Sequence, residues 1–180
     1  MERTIAWGDL PAPDQRRVIM LYGSLEEYAA GLEHIGALEL DSGQPLARFL
    51  GNADDVFLAS FYAPGTGVIP VIERLGMDEL IRPMQVALAH PVGTTNYGHR
   101  LQEWRSTVVA HPTFDITVVH RRVLALADLD SPPVLASVQS ARDLLVGCTL
   151  TVHSFIRDWY PEAVSAYKYL VDSTGVDNGA

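Results

Sequence analysis

The strongest constraint on the fold is a long periodic run near the C-terminus. Val134, Val138, Ala141, Leu145, Cys148, Val152, Phe155 and Ile156 recur at steps of three and four. That spacing puts them on one stripe of an α-helix of about six turns. Ser131-Pro132-Pro133 offers a cap residue and then proline in the first turn, and Pro161 breaks the chain after Tyr160. The seam is close to a heptad, so the helix should lie along a second long helix at a shallow angle. Arg17–Leu38 supplies one, with Val18, Leu21, Tyr22, Leu25, Tyr28, Ala29, Leu32 and Ile35 on its stripe. Glu26, Glu27 and Glu33 fall off that stripe and read as a solvated face, with His34 at its boundary.

The remaining segments read as shorter helices and turns. Met1–Pro13 reads as an arm broken by Pro11 and Pro13, with Asp14 as a helix cap. Asp41–Pro45 is turn chemistry, and Leu46–Tyr62 predicts a second helix, interrupted near Gly51-Asn52. Gly65-Thr66-Gly67 lacks the lysine and spacing of a phosphate loop and reads as a breaker. Val68–Leu75 is short and apolar. Met77–His90 predicts a helix, with Pro83 marking its start or a kink. Val92–Asn96 reads as a loop, and Tyr97–Ala110 as a helix stopped by Pro112. Ile116–Leu129 is ambiguous, with one or two short strands near 116–127. Glu162–Val171 predicts a last helix before a polar tail, 172–180. The whole is one mainly α-helical domain over residues 1–180, a bundle on two long amphipathic helices.

Composition removes several classes of function. The single cysteine, Cys148, precludes an internal disulfide and, lying mid-seam, reads as a buried inert thiol. There is no basic-then-apolar leader at the N-terminus and no apolar run of ~20 residues, so a soluble cytoplasmic protein is expected. A net charge of −9 opposes a broad nucleic-acid surface but leaves room for a small cationic cleft. The six histidines include no pair at helical ligand spacing. His99 and Glu103 share a face, and His90 and His99 flank a loop, yet no metal or other cofactor is expected. No serine occupies a nucleophile elbow. Asp54-Asp55 and Asp128/Asp130 read as helix caps.

One stretch carries chemistry, Glu103-Trp104-Arg105-Ser106-Thr107-Val108-Val109-Ala110-His111-Pro112. Arg105 is a permanent cation suited to phosphate, and His111 can move a proton near neutral pH. Six residues on a continuous helix turn through about 600°, so the two do not share a face. They converge if the helix frays at His111, or if two copies meet across a dimer. Arg105 to Pro112 resembles the Arg-x(4–6)-His motif of the HEPN superfamily, and the flanking long helices extend the likeness. Those proteins are small four- or five-helix domains, commonly dimeric, and many are metal-independent ribonucleases of toxin–antitoxin, abortive-infection and CRISPR systems. Ser106 departs from the Asn, Asp or His common after the arginine.

The resemblance implies a homodimer, RNA as a candidate partner, and an antitoxin or other protein as a further one. Arg105 would stabilise charge on a phosphoryl oxygen while His111 exchanges a proton with the attacking or leaving oxygen of a hydrolase reaction. Arg100 would add to the positive field, and Tyr97, His99, Trp104 and Ser106 would contact substrate. Two other readings stand beside it. One is a small-molecule enzyme or binding protein with a pocket around Tyr97, His99, Trp104 and His111. The other is a non-catalytic helical interaction protein in which Arg105 pairs with Glu103 or Asp115.

Overall fold

The computed structural model describes residues 4–38, 54–65, 67–104 and 132–174. Described elements in chain order are helix α1 (Ala12–Ala37), helix α2 (residues 54–61), α3 (Ile69–Arg74), α4 (Asp78–Leu88), strands β1 (Pro91–Val92) and β2 (Thr95–Asn96), α5 (Tyr97–Trp104), α6 (Pro132–Trp159) and α7 (Pro161–Thr174). The fold is mainly helical, with a single two-stranded antiparallel hairpin among the described residues, Pro91 facing Asn96 and Val92 facing Thr95.

The heptad-like run forms α6, which packs against α1, α4 and α7. Ala141, Leu145, Val152 and Ile156 are fully buried along it. From α1 come Val18, Tyr22 and Leu25, from α2 Leu58, and from α4 Ile81, Met84 and Ala87. Burying each Leu, Ile or Val of this set is worth about 1.5–3 kcal/mol, which offsets the ordering entropy of long helices. Burial on α1 fades beyond Leu25, with Leu32 and Ile35 only partly covered.

Several sequence expectations shift in detail. α1 begins at Ala12, so Pro13 sits in its first turn, where the missing N–H is harmless. Asp14 makes no side-chain cap bond and instead pairs with Arg17 at 2.7 Å. The N-terminal arm is docked: Leu10 is buried, and the Tyr160 hydroxyl donates to the Ile5 carbonyl at 2.9 Å. Val68–Leu75 is largely helix α3, ended by Gly76 at φ 71, a left-handed position that favours glycine. Pro83 lies inside α4 on its exposed side, where the carbonyl it frees can meet water. The Val92–Asn96 loop takes part in the hairpin. α7 runs from Pro161 to Thr174, so Asp172–Thr174 are helical rather than tail. Gly65 has φ 72, and a Cβ on Gly67 would lie 2.7 Å from the Ala63 nitrogen. The N–H of Gly67 is already spent on the Ala63 carbonyl at 2.8 Å, so this turn is structural. No helix among the described residues is long and apolar enough to cross a membrane. Residues 105–131 lie outside the described residues, and with them the expected strands near 116–127, as do residues 46–53 of the second helix.

Candidate functional site

The helix that leads into the Arg105 motif is α5. Asn96 caps it: its Oδ1 accepts from the His99 N–H at 2.9 Å, the third helical residue. Tyr97 and Leu101 face inward, 3% and 6% exposed. His99 and Glu103 lie on the outer face one turn apart, with Nε2 and Oε1 3.3 Å from each other, as their spacing predicts. Arg100 reaches Glu103 at 3.5 Å, and its Nε is buried without a hydrogen-bond partner. The structure therefore does not bring Tyr97 and His99 onto one face of α5. Trp104 is the last described residue of the helix. Arg105, Ser106 and His111 lie outside the described residues, as does Asp115.

Directly beneath α5 is a cluster that the sequence reading missed. Asp54, 6% exposed, accepts from the Tyr28 hydroxyl through Oδ1 and from Arg142 Nη2 through Oδ2. Asp55 follows it, its Oδ1 3.5 Å from Arg142 Nε; that Nε makes no hydrogen bond. The Tyr97 hydroxyl is buried in the same locus, also without a partner. Burial pushes the Asp55 carboxyl up to about 6; Arg142 pulls it down and Asp54 pushes it further up. Burial raises the Tyr97 phenol, and Asp55 adds to the effect. Tyr28 rises through burial and through its bond to Asp54. For Arg142, burial works to lower the pKa, but Asp54 and Asp55 outweigh it and hold the guanidinium charged. Asp54-Asp55 were expected to cap a helix; their recorded partners are instead Tyr28 and Arg142, far away in sequence.

A second polar cluster joins α1, α6 and α7. Glu26 Oε2 accepts from the Tyr22 hydroxyl at 2.9 Å and lies 2.7 Å from His153 Nε2. The His153 and Tyr22 rings stack with centroids 5.3 Å apart, and Tyr167 meets Tyr22 edge-on at 5.7 Å. Glu26 thus keeps a side chain 46% exposed, as a solvated face implies, but it also pairs with His153 on another helix. Burial alone would raise its pKa, but the bonds from His153 and Tyr22 reverse the sign and lower it. Burial and Glu26 together push Tyr22 up to about 12.

The two clusters share a design. Arg142, Thr149 and His153 are separated by seven and four residues, so they line one side of α6. Each finds a partner on another element: Arg142 meets Asp54, Thr149 Oγ1 meets the Tyr62 hydroxyl at 2.9 Å, and His153 meets Glu26. The available signal was a cation and a histidine bordering an otherwise apolar seam.

Cys148 is half-buried rather than fully enclosed. It lines a groove of about 570 Å³ between α4 and α6 with Leu80, Pro83, Leu144 and Thr151. Burial raises its thiol pKa, which keeps it protonated and a poor nucleophile. Among the described residues, no three His, Cys, Asp or Glu side chains are grouped so as to hold a metal ion. The chain matches no family model, no curated protein and no solved structure.

Proposed function

We propose that the protein is a HEPN-like helical ribonuclease, homodimeric and metal-independent, in which Arg105 and His111 act on RNA. The observation that carries this reading is the position of the motif: Arg105 follows directly on Trp104, the last described residue of α5, in a mainly helical domain. The base of α5 is fixed by the Asn96 cap and by the buried Tyr97. The chemistry follows from the residue types. A ribose 2′-hydroxyl attacks the adjacent phosphorus, and the P–O bond to the 5′ leaving oxygen breaks, giving a 2′,3′-cyclic phosphate and a free 5′-hydroxyl. Arg105 stabilises the charge gathering on the phosphoryl oxygens, and His111 takes or supplies the proton in transit.

The test is to incubate the wild type, Arg105→Ala and His111→Ala with mixed-sequence RNA in the presence of a chelator. Arg105→Ala should lose about a hundredfold or more in rate, and His111→Ala about 10²–10⁴-fold. Melting temperatures should stay close to wild type, and light scattering at micromolar concentration should report a dimer. No cleavage by the wild type, together with a large drop in melting temperature for Arg105→Ala, would sink the ribonuclease reading and leave Arg105 a structural residue.

A further inference from the structure

The groove between α4 and α6 shares no residue with the chemistry proposed for Arg105 and His111. Leu80 and Pro83 form its α4 wall, and Leu144, Gly147 and Cys148 its α6 wall, around about 570 Å³ of space. Pockets that hold small molecules span roughly 300–1,000 Å³. Leu144 stays 50% exposed there, a large aliphatic side chain facing water.

Gly147 keeps the groove open. It stands in the interior of α6, where glycine is a poor helix former. A Cβ added to it would meet no neighbouring group within 4 Å, so no close approach within the fold requires glycine at this position. A longer side chain would project into the space that the groove now holds.

The polar side chains of the lining present acceptors. The Ser140 hydroxyl donates its hydrogen to the Ala136 carbonyl at 2.9 Å, and the Thr151 hydroxyl donates to the Gly147 carbonyl at 2.8 Å. Each then keeps only oxygen lone pairs for a ligand. Asp143 Oδ1 accepts from Gln139 Nε2 at 2.7 Å, and Oδ2 makes no hydrogen bond among the described residues. Asp143 is the one charged side chain in the lining, in a chain whose net charge is −9. A ligand that complements this lining carries donors and positive charge on an apolar body. An anion would be repelled by Asp143 and would find both hydroxyl hydrogens already committed.

We propose that this groove binds a small amphipathic amine, its ammonium at Asp143 and its apolar body along Leu80, Leu144 and Gly147. Asp143 and Gly147 are one turn apart on α6, so the two parts of the ligand fall on adjacent parts of one face. This binding stands or falls independently of the ribonuclease reading.

The test compares three probes of equal chain length on the full chain at pH 7: n-octylamine as its ammonium, n-octanol and octanoate. Titration followed by the amide resonances of Gly147 and Cys148 should saturate with octylamine. Octylamine should bind about two- to fivefold tighter than octanol, the gain of an exposed ion pair, and octanoate should bind weakest. Asp143→Asn should reduce octylamine to the level of octanol. Gly147→Leu keeps the net charge, fills the groove and replaces a poor helix former. It should abolish octylamine binding while the melting temperature holds or rises. Octylamine binding that survives Gly147→Leu would be general attraction to an acidic protein and would overturn the proposal. So would octanol or octanoate binding as tightly as octylamine, or no effect of Asp143→Asn. A wild-type dimer that Gly147→Leu breaks apart would mean that a second copy fills the groove, which also overturns it. Should Gly147→Leu fail to fold, the Asp143→Asn comparison decides.

Discussion

Replacing Arg142 with methionine should be among the most damaging single changes in the described core, and the damage should depend on pH. The methionine keeps most of the side-chain volume but removes the one cation that faces Asp54 and Asp55 among the described residues. Breaking a buried ion pair by deleting one partner typically costs about 3–5 kcal/mol. A second route to the magnitude agrees. A carboxylate stripped of its cation can take a proton, and for an ordinary pKa of about 3.9 this costs about 4 kcal/mol at pH 7. That is a ceiling for one carboxylate, since the protonated acid then needs no counter-charge. We expect a loss of about 3–4 kcal/mol at pH 7, shrinking as pH falls into the range where a carboxylate stripped of its cation takes up a proton at little cost. Urea unfolding at pH 7 and within that range measures this, read at constant m-value so that only stability has changed. Asp54→Asn combined with Arg142→Met should recover part of the loss at pH 7, because the uncompensated charge goes with it. A deficit independent of pH, or one below about 1 kcal/mol at pH 7, would refute the reasoning and leave Arg142 a surface-like pair.

Glu26→Gln should destabilise the protein at pH 6, because the lowered Glu26 pKa contributes stability above its unfolded value. The difference from wild type should vanish as pH falls below about 4; stability curves over pH 3–7 check it. Gly23→Ala should cost about 1–3 kcal/mol, since the added Cβ would lie 2.8 Å from Tyr167 Cδ2. Thermal melts should show that loss, with relief when Tyr167→Ala is added. Cys148 should react with iodoacetamide more slowly than a free thiol at pH 8, and the rate should rise only above the usual thiol range.

The two long helices were legible because period and length reinforced each other. Val18, Tyr22 and Leu25, and Ala141, Leu145, Val152 and Ile156, follow the stripes their spacing implies. The hairpin was not legible, since two-residue strands are too short to show alternation. α3 was missed for a similar reason: at six residues it is shorter than the pattern that would identify it. The polar clusters were hidden by distance along the chain. Asp54 and Arg142 are 88 residues apart, and Glu26 and His153 are 127 apart. Nothing local to either partner says that the other exists. Glu26 looked solvated because it leaves the apolar stripe, yet it turns toward a histidine from another helix. On α5, spacing correctly paired His99 with Glu103, but only the fold shows that Tyr97 points the other way.

The polar line on α6 has a consequence for uniqueness. An apolar seam of leucines and valines can slide by one turn against its neighbours at modest loss, because one aliphatic contact resembles the next. Arg142, Thr149 and His153 cannot slide so, because each meets a different complementary group: a carboxylate, a phenol, and a second carboxylate. A shift of about 5.4 Å would strand all three at once. They act as three teeth of a key, marking a single depth of insertion for the longest helix in the described chain. Replacing all three together with their partners Asp54, Tyr62 (by Phe) and Glu26 by apolar residues of similar size should leave the melting temperature near wild type or raise it, while NMR spectra broaden or double as alternative registers become populated. Such a variant with one sharp set of resonances would show that shape alone sets the register.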